Sequence, residues 1–213
     1  MREAAGIKTI GWSYDQMGIV TTMVHDKPHE GVAQEYFLPG GPFAVLPMTG
    51  NRSSLVWTEK TETAKAIMAL DDAGFAAEAQ DRFGTYLGHC APEGPRWSYP
   101  LSLQLSRDYV RPRLALVGDA AHGIHPLAGQ GVNLGFQDAQ ALQSALKEAK
   151  RTGDDLATPK WLNLYEQQRR PANRRMMLTM DVFYHLFSNR IPPVHLLRNL
   201  GLGAARALPF ARN

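Results

Sequence analysis

From residue 5 to residue 59 apolar positions alternate with polar ones or cluster in short runs, the period-two pattern of strands that bury one face. Residues 7–14, 18–25, 32–38, 43–48 and 54–58 each read as a strand. Turn-forming residues fill the breaks: 15–18, 26–28, 39–42 and 50–51. Strands this close together, joined by short turns, predict an antiparallel meander. Trp12, Phe37, Phe43 and Trp57 lie on them, and their default role is sheet packing.

The period then changes. Residues 61–70 and 72–87 read as helices, the second with Phe75, Ala79, Phe83 and Leu87 at helical spacing. Gly94 and Pro95 end that region, and residues 97–105 alternate again as a strand. After a turn at 107–113, Leu114 to Val117 form a short apolar run of the kind found in buried parallel strands. A glycine- and proline-rich loop follows from Gly123 to Gly131. Ala139, Leu142, Leu146 and Ala149 then recur at helical spacing, so a helix starts near Gly131. A polar break covers 150–155. Pro159 opens another helix, which Pro171 is expected to interrupt. Residues 189–193 break it, and Val194, Leu197, Leu200, Ala204 and Leu208 make a last amphipathic element interleaved with arginines.

The fold class expected is α/β (α+β). The pattern divides into a sheet with helices over 1–106, a strand–loop–helix over 107–150 and a helical region over 151–213. A chain of 213 residues can bury a substantial core. The net charge of +3 is a slight excess, concentrated in arginines after residue 168, and predicts a basic face rather than a nucleic-acid groove. One cysteine, Cys90, excludes an internal disulfide and fits a reducing compartment. No signal-peptide pattern follows Met1, and no apolar run is long enough to span a bilayer.

The chemistry concentrates between Leu114 and Asp138. A strand end, a tight loop and a helix N-terminus present free N–H groups and a positive dipole end to an anion. Gly129, Gly131 and Gly135 leave the backbone open to a ligand. Asp119, at the strand end, can accept hydrogen bonds from ligand hydroxyls; the plainer reading is a turn or capping carboxylate. His122 and His125 are three apart, but no cysteine or carboxylate cluster completes a metal site, so none is expected. No nucleophile-elbow motif occurs, and no catalytic acid or base is singled out.

Gly118-Asp119 with Pro126 resembles the second flavin fingerprint of the aromatic hydroxylases of the para-hydroxybenzoate hydroxylase type. The run from His125 to Gly135, closing at Asp138, resembles the narrower signature of the ubiquinone-biosynthesis hydroxylases. The similarity continues through residues 5–14, 35–43 and 51–57. It implies an antiparallel substrate-domain sheet, the C-terminal part of a Rossmann-like FAD-binding domain and a helical C-terminus.

It also implies FAD as cofactor, with NADPH or NADH as reductant. Gly118, Asp119, Pro126, Ala128, Gly129, Gln130, Gly131, Val132 and Asn133 would form the flavin shell. Phe37, Leu38, Phe43, Leu46 and Pro47 would lie over the substrate, a polyprenylated phenol. The expected place is the cytoplasm, peripheral on the inner membrane, with the arginine-rich last segment near the lipid. No Gly-x-Gly-x-x-Gly follows any strand, so the resemblance is to the C-terminal half of such an enzyme. A separate N-terminal half or other ubiquinone-pathway partners would complete it. The alternative is a non-catalytic flavin-fold remnant that acts as a binding or assembly module.

Overall fold

A computed structural model describes residues 2–124 and 129–188, and side chains only as far as residue 182 in the last helix. The elements are β1 (Thr9–His25), β2 (Gln34–Leu38), β3 (Gly41–Pro47), β4 (Arg52–Lys60), α1 (Thr61–Met68), α2 (Asp72–Phe83), β5 (Cys90–Ser106), β6 (Val110–Arg111), β7 (Leu114–Ala115), β8 (His122–Gly123), α3 (Gln130–Thr152) and α4 (Pro159–Ser188). A 3-10 turn, Gly118–Ala120, joins β7 to β8. Six strands form one sheet in the order β2-β3-β4-β1-β5-β8, and β6 with β7 forms a separate two-stranded ribbon.

The alternating pattern predicts two strands before residue 26, but the chain makes one strand of 17 residues. The polar break at 15–18 is not a turn. The pairing of β1 with β5 shifts there, between Ser13 and Met17, and the extra residues are absorbed as an irregularity. Gln16 turns inward at this point and donates to the Gly40 carbonyl at 2.6 Å. Gly94 and Pro95 likewise lie within β5, beside a second shift between Val20 and Thr22, so β5 also runs for 17 residues. A break signal in a long twisted ribbon is met by a bulge as readily as by a reversal.

The first layer of packing is sheet against helix. Ile19, Met23, Phe43, Val45, Leu55 and Trp57 project from one face onto Ala64 and Ile67 of α1 and Phe75, Ala79 and Phe83 of α2. Asp71 caps α2, accepting from the Gly74 N–H at 2.8 Å. The helix ends at Phe83, earlier than the apolar spacing predicts, because Gly84 takes a positive φ of 70° and its N–H closes on the Gln80 carbonyl.

The second core joins the far ends of β1 and β5 to the last two helices. Ile7, Tyr14, Leu101 and Leu103 meet Tyr109, Leu116, Ala141, Ala145, Leu162, Tyr165 and Met177. Tyr14 Oη donates to Asp181 of α4 at 2.8 Å. The long strands thus enter both cores, and packing crosses the expected division at residue 106.

Leu114–Val117, expected as a buried parallel strand, differs. Leu114 and Ala115 pair antiparallel with Arg111 and Val110. The intervening Arg113 adopts φ 61°, which reverses the chain and makes the local partner the nearest one. Leu116 is buried, and its carbonyl accepts from Tyr165 Oη at 2.6 Å. α4 runs unbroken through Pro171. The break at 189–193 and the last amphipathic element lie outside the described residues.

Candidate functional site

α3 begins at Gln130, close to where the apolar spacing places a helix start. Gly129 precedes it in the left-handed region, φ 59°, and no side chain caps the first turn. The first-turn N–H groups therefore have no partner within the helix and no acidic residue among them. Gly129, Gln130, Gly131, Val132 and Asn133 form this end, with Gly129, Val132 and Asn133 exposed. Pro126 and Ala128 lie outside the described residues.

Facing it is the Gly118–Ala120 turn. Gly118 has φ 58°, a conformation that a side chain would strain. Its backbone passes close to Gly135 of α3: a Cβ built on Gly135 would lie 3.6 Å from Gly118 Cα. Asp119 is exposed, and the turn has no side-chain capping bond. Asp119 thus sits within the turn itself, as one half of the plainer reading has it.

What holds turn and helix together is Asp138, on the buried face of α3 with Leu134, Ala141, Ala145 and Ala149. Asp138 is wholly buried. Its Oδ2 accepts from the Gly118 N–H at 3.1 Å and from His122 Nε2 at 2.5 Å. Its Oδ1 accepts from Arg169 Nε at 2.8 Å and Asn173 Nδ2 at 3.0 Å, both on α4. Arg169 Nη2 also donates to Asn173 Oδ1 at 2.7 Å. Burial alone would raise the Asp138 carboxyl, but hydrogen bonds from His122, Arg169 and Asn173, with the His122 charge, hold it at about 2. Burial pushes the neighbouring Tyr109 hydroxyl up to about 12. Gly118, His122 and Asp138 all lie in the stretch from Leu114 to Asp138, but the role of Asp138 as the hub was not legible, since Arg169 and Asn173 come from another helix.

The sheet divides the expected substrate residues. Along a strand, neighbours point to opposite faces, and paired residues share a face. Phe43 is fully buried, stacked edge-on to Trp57 and Phe83 in the helix-covered core. It therefore does not lie over a substrate. Leu38 and Pro47 fall on the same side as Phe43 by alternation, and Leu38 packs against that core. Phe37 and Leu46 fall on the opposite, open face. Trp97 and Tyr99 join them through their pairing with Val20 and Gly18. All four are exposed. Trp97 and Tyr99 carried no special signal in the sequence, since only the register of β5 on β1 places them there. Glu35 shares this face opposite Ala44, and partial burial raises its carboxyl. Among the described residues no group of three or more histidine, cysteine, aspartate or glutamate side chains could hold a metal.

An open antiparallel sheet face, a glycine turn and an uncapped helix N-terminus occur in one α/β fold, and the helix end suits an anionic cofactor. The chain belongs to the FAD binding domain family, whose model matches residues 1–179. It is 50% identical over 208 residues to the ubiquinone hydroxylase UbiL of Rhodospirillum rubrum, covering 98% of this chain and 48% of that protein. It is 40% identical over 206 residues to the 3-demethoxyubiquinol 3-hydroxylase of Escherichia coli, covering 96% and 52%. The human ubiquinone biosynthesis monooxygenase COQ6 is 34% identical over 242 residues, with 98% and 52% covered.

Among solved structures, Pseudomonas aeruginosa PqsL in complex with 2-aminobenzoylacetate matches with a TM-score of 0.72 at 24% identity, over 89% of this chain and 53% of that one. The anhydrotetracycline hydroxylase OxyS of Streptomyces rimosus matches with a TM-score of 0.69 at 22% identity, over 99% and 41%. These likenesses bear out the mixed α/β fold with an antiparallel sheet and a helical C-terminal region. The resemblance to ubiquinone-biosynthesis hydroxylases holds over the whole chain, which spans about half the length of the curated relatives it matches.

Proposed function

We propose that this chain carries the second flavin contact and the substrate-facing sheet of an FAD-dependent monooxygenase that hydroxylates a polyprenylated phenol in ubiquinone biosynthesis. The observation that carries the reading is the pairing of the Gly118–Asp119 turn with the uncapped N-terminus of α3, in a chain half identical to a ubiquinone hydroxylase. These residues fit a flavin. Gly118 and Gly129 keep the backbone bare, and the first turn of α3, around Gly131 and Val132, presents the positive end of the helix to negative charge. Asp119 accepts hydrogen bonds from ribitol hydroxyls.

Bound FAD, reduced by NADPH or NADH, supplies the activation of dioxygen and the oxygen atom for the ring. The chain's own part is positioning. The helix end stabilises charge on the pyrimidine edge of the reduced cofactor. Phe37, Leu46, Trp97 and Tyr99 give an apolar face on which an aromatic ring packs and from which water is excluded. A polyprenyl tail partitions into a bilayer, so the reading includes peripheral membrane contact, at the inner membrane on its cytoplasmic side.

The absorbance spectrum of the purified chain after incubation with FAD and desalting tests the site. Retained flavin bands that Asp119→Ala weakens support the reading. A colourless chain would leave the site insufficient by itself. Retained bands indifferent to Asp119→Ala and Gly118→Ala would refute the assignment of the turn.

A further inference from the structure

A cleft away from the flavin turn lies between the start of β1 and α4. It encloses about 720 Å³. Ile10 and Trp12, which alternate onto one face of β1, form one apolar wall, and Pro171, Met177 and Leu178 form the other. The apolar surface does not stop at the cleft. Leu164, Pro171, Leu178 and Val182 recur at whole turns of α4 and share its outward face. Leu164, Leu178 and Val182 are 46%, 48% and 65% exposed. Arg170 and Arg174 flank this stripe on one side and Arg175 on the other, and the exposed Arg107 lines the cleft. The one acid lining it, Glu166, is already engaged: its Oε1 accepts from the Tyr109 N–H at 2.9 Å and faces Arg170 at 3.6 Å. Arg107 and Arg174 make no ion pair among the described residues.

We infer that this face of α4, with Ile10 and Trp12, is the surface by which the protein rests on an anionic membrane. An exposed apolar stripe flanked by arginines and bordered by a tryptophan matches the two zones of a bilayer surface. Apolar side chains enter the acyl boundary, and guanidiniums stay among the phosphates. Charge decides the occupant. The segment 189–213 carries Arg190, Arg198, Arg206 and Arg212 and no aspartate or glutamate, so it would meet the unpaired arginines of the cleft with like charge. A second copy would do the same at this face. An anionic lipid surface neutralises it. The inference rests on the proposed lipid-borne substrate for its purpose, and on the stripe and its arginines for its location.

The test is flotation of the full chain with vesicles of phosphatidylcholine alone or mixed with phosphatidylglycerol. Binding is expected only with phosphatidylglycerol and should fall as salt rises. Arg107→Gln and Arg174→Gln should each weaken partitioning about fivefold, and Leu178→Ser should weaken it further, with far-ultraviolet circular dichroism unchanged. Replacing Arg190, Arg198, Arg206 and Arg212 together by glutamine should leave most of the binding. Absence of binding to anionic vesicles would overturn the inference. So would binding that the tail variant abolishes and the cleft variants leave intact, or a dimer that Leu178→Ser dissociates without any vesicle binding. FAD uptake by the same variants, read from absorbance, should match the unaltered chain, so failure of the flavin reading and failure of the membrane face are seen separately.

Discussion

Asp138→Asn is the most informative substitution in this fold, because one carboxylate joins the turn, β8, α3 and α4. The amide is the same size, so no cavity is made, and the change isolates charge and hydrogen bonding. The carboxylate accepts four hydrogen bonds, from the Gly118 N–H, His122, Arg169 and Asn173. An asparagine has one carbonyl oxygen. Whichever way it turns, its NH₂ meets two of those donors, and the Arg169 guanidinium, 7% exposed, is left without a counter-charge.

Removing one partner of a buried ion pair costs about 3–5 kcal/mol. For a chain of this length that corresponds to a fall in Tm of about 6–20 °C. The acid branch gives a second, separate magnitude. The folded carboxyl titrates near 2 against an ordinary 3.8, a difference of about 2 kcal/mol of stability. Because the folded pKa is the lower one, that contribution is complete above about pH 5 and is lost as the pH falls through 3.8 towards 2. The two magnitudes differ because titration leaves a neutral acid whose oxygens can still accept, whereas the amide sets donors against donors.

Urea unfolding at pH 7 and at pH 3 measures both. We expect Asp138→Asn to lose at least 3 kcal/mol at pH 7 and to flatten the acid dependence. A loss below about 1 kcal/mol, or an acid dependence equal to that of the unaltered chain, would show that Asp138 is not the hub. Coupling to Arg169→Met in a double-mutant cycle should exceed about 1 kcal/mol.

Other positions separate stability from site function. Phe43→Ala should cost about 3–5 kcal/mol in chemical denaturation, whereas Phe37→Ala, on the open face, should stay within about 0.5 kcal/mol and act instead on substrate affinity. Gly118→Ala forces a side chain into φ 58° and should cost about 1–2 kcal/mol, with a loss of FAD retention after desalting that exceeds any change in Tm. Tyr165→Phe removes the 2.6 Å bond to the Leu116 carbonyl and leaves that buried oxygen without its donor, an expected loss of about 1–3 kcal/mol by urea titration.

The elements were largely legible because their signals are local. Alternation located the meander and apolar spacing located α2 and α3, although α2 stops at Phe83, before the predicted residue 87. What was not legible depends on pairing partners distant in the chain. The break at 15–18 has the composition of a turn, and only the opposing β5 converts it into a bulge in one long strand. The ribbon of β6 and β7 follows from a positive φ at an arginine, which no propensity announces. The loop proposed to meet the flavin stands out as a motif because its features, bare backbone and a helix start, are written in consecutive residues. The open-face aromatics do not, because Trp97 and Tyr99 share a face with Phe37 and Leu46 only through a sheet of five strands, β2 to β5. Phe43 was misplaced for a related reason: a motif-based reading takes neighbours along the strand together, whereas the strand sends Phe43 and Leu46 to opposite faces.

That division of faces also explains how a sheet can serve a ligand without losing its stability. The residues that make the fold firm, Ile19, Met23, Phe43, Leu55 and Trp57, all face α1 and α2 and are fully buried. The residues of the open face contribute little to that core, so substitutions there cost the fold little. The flavin turn has no such spare face. Gly118 is fixed from behind by Asp138, and Asp138 by two side chains of α4, so the turn's geometry depends on a helix whose outer side carries the arginine-flanked stripe. The same helix that anchors the turn from within would then meet the membrane from without. Displacing α4 should therefore change flavin affinity even where no flavin contact is altered. Leu162→Ala tests this consequence, since Leu162 is buried in the second core and lies outside the flavin turn and the cleft lining. It should lower FAD retention through loss of α4 packing, and retention equal to that of the unaltered chain, at a temperature where the variant is folded, would uncouple helix from turn.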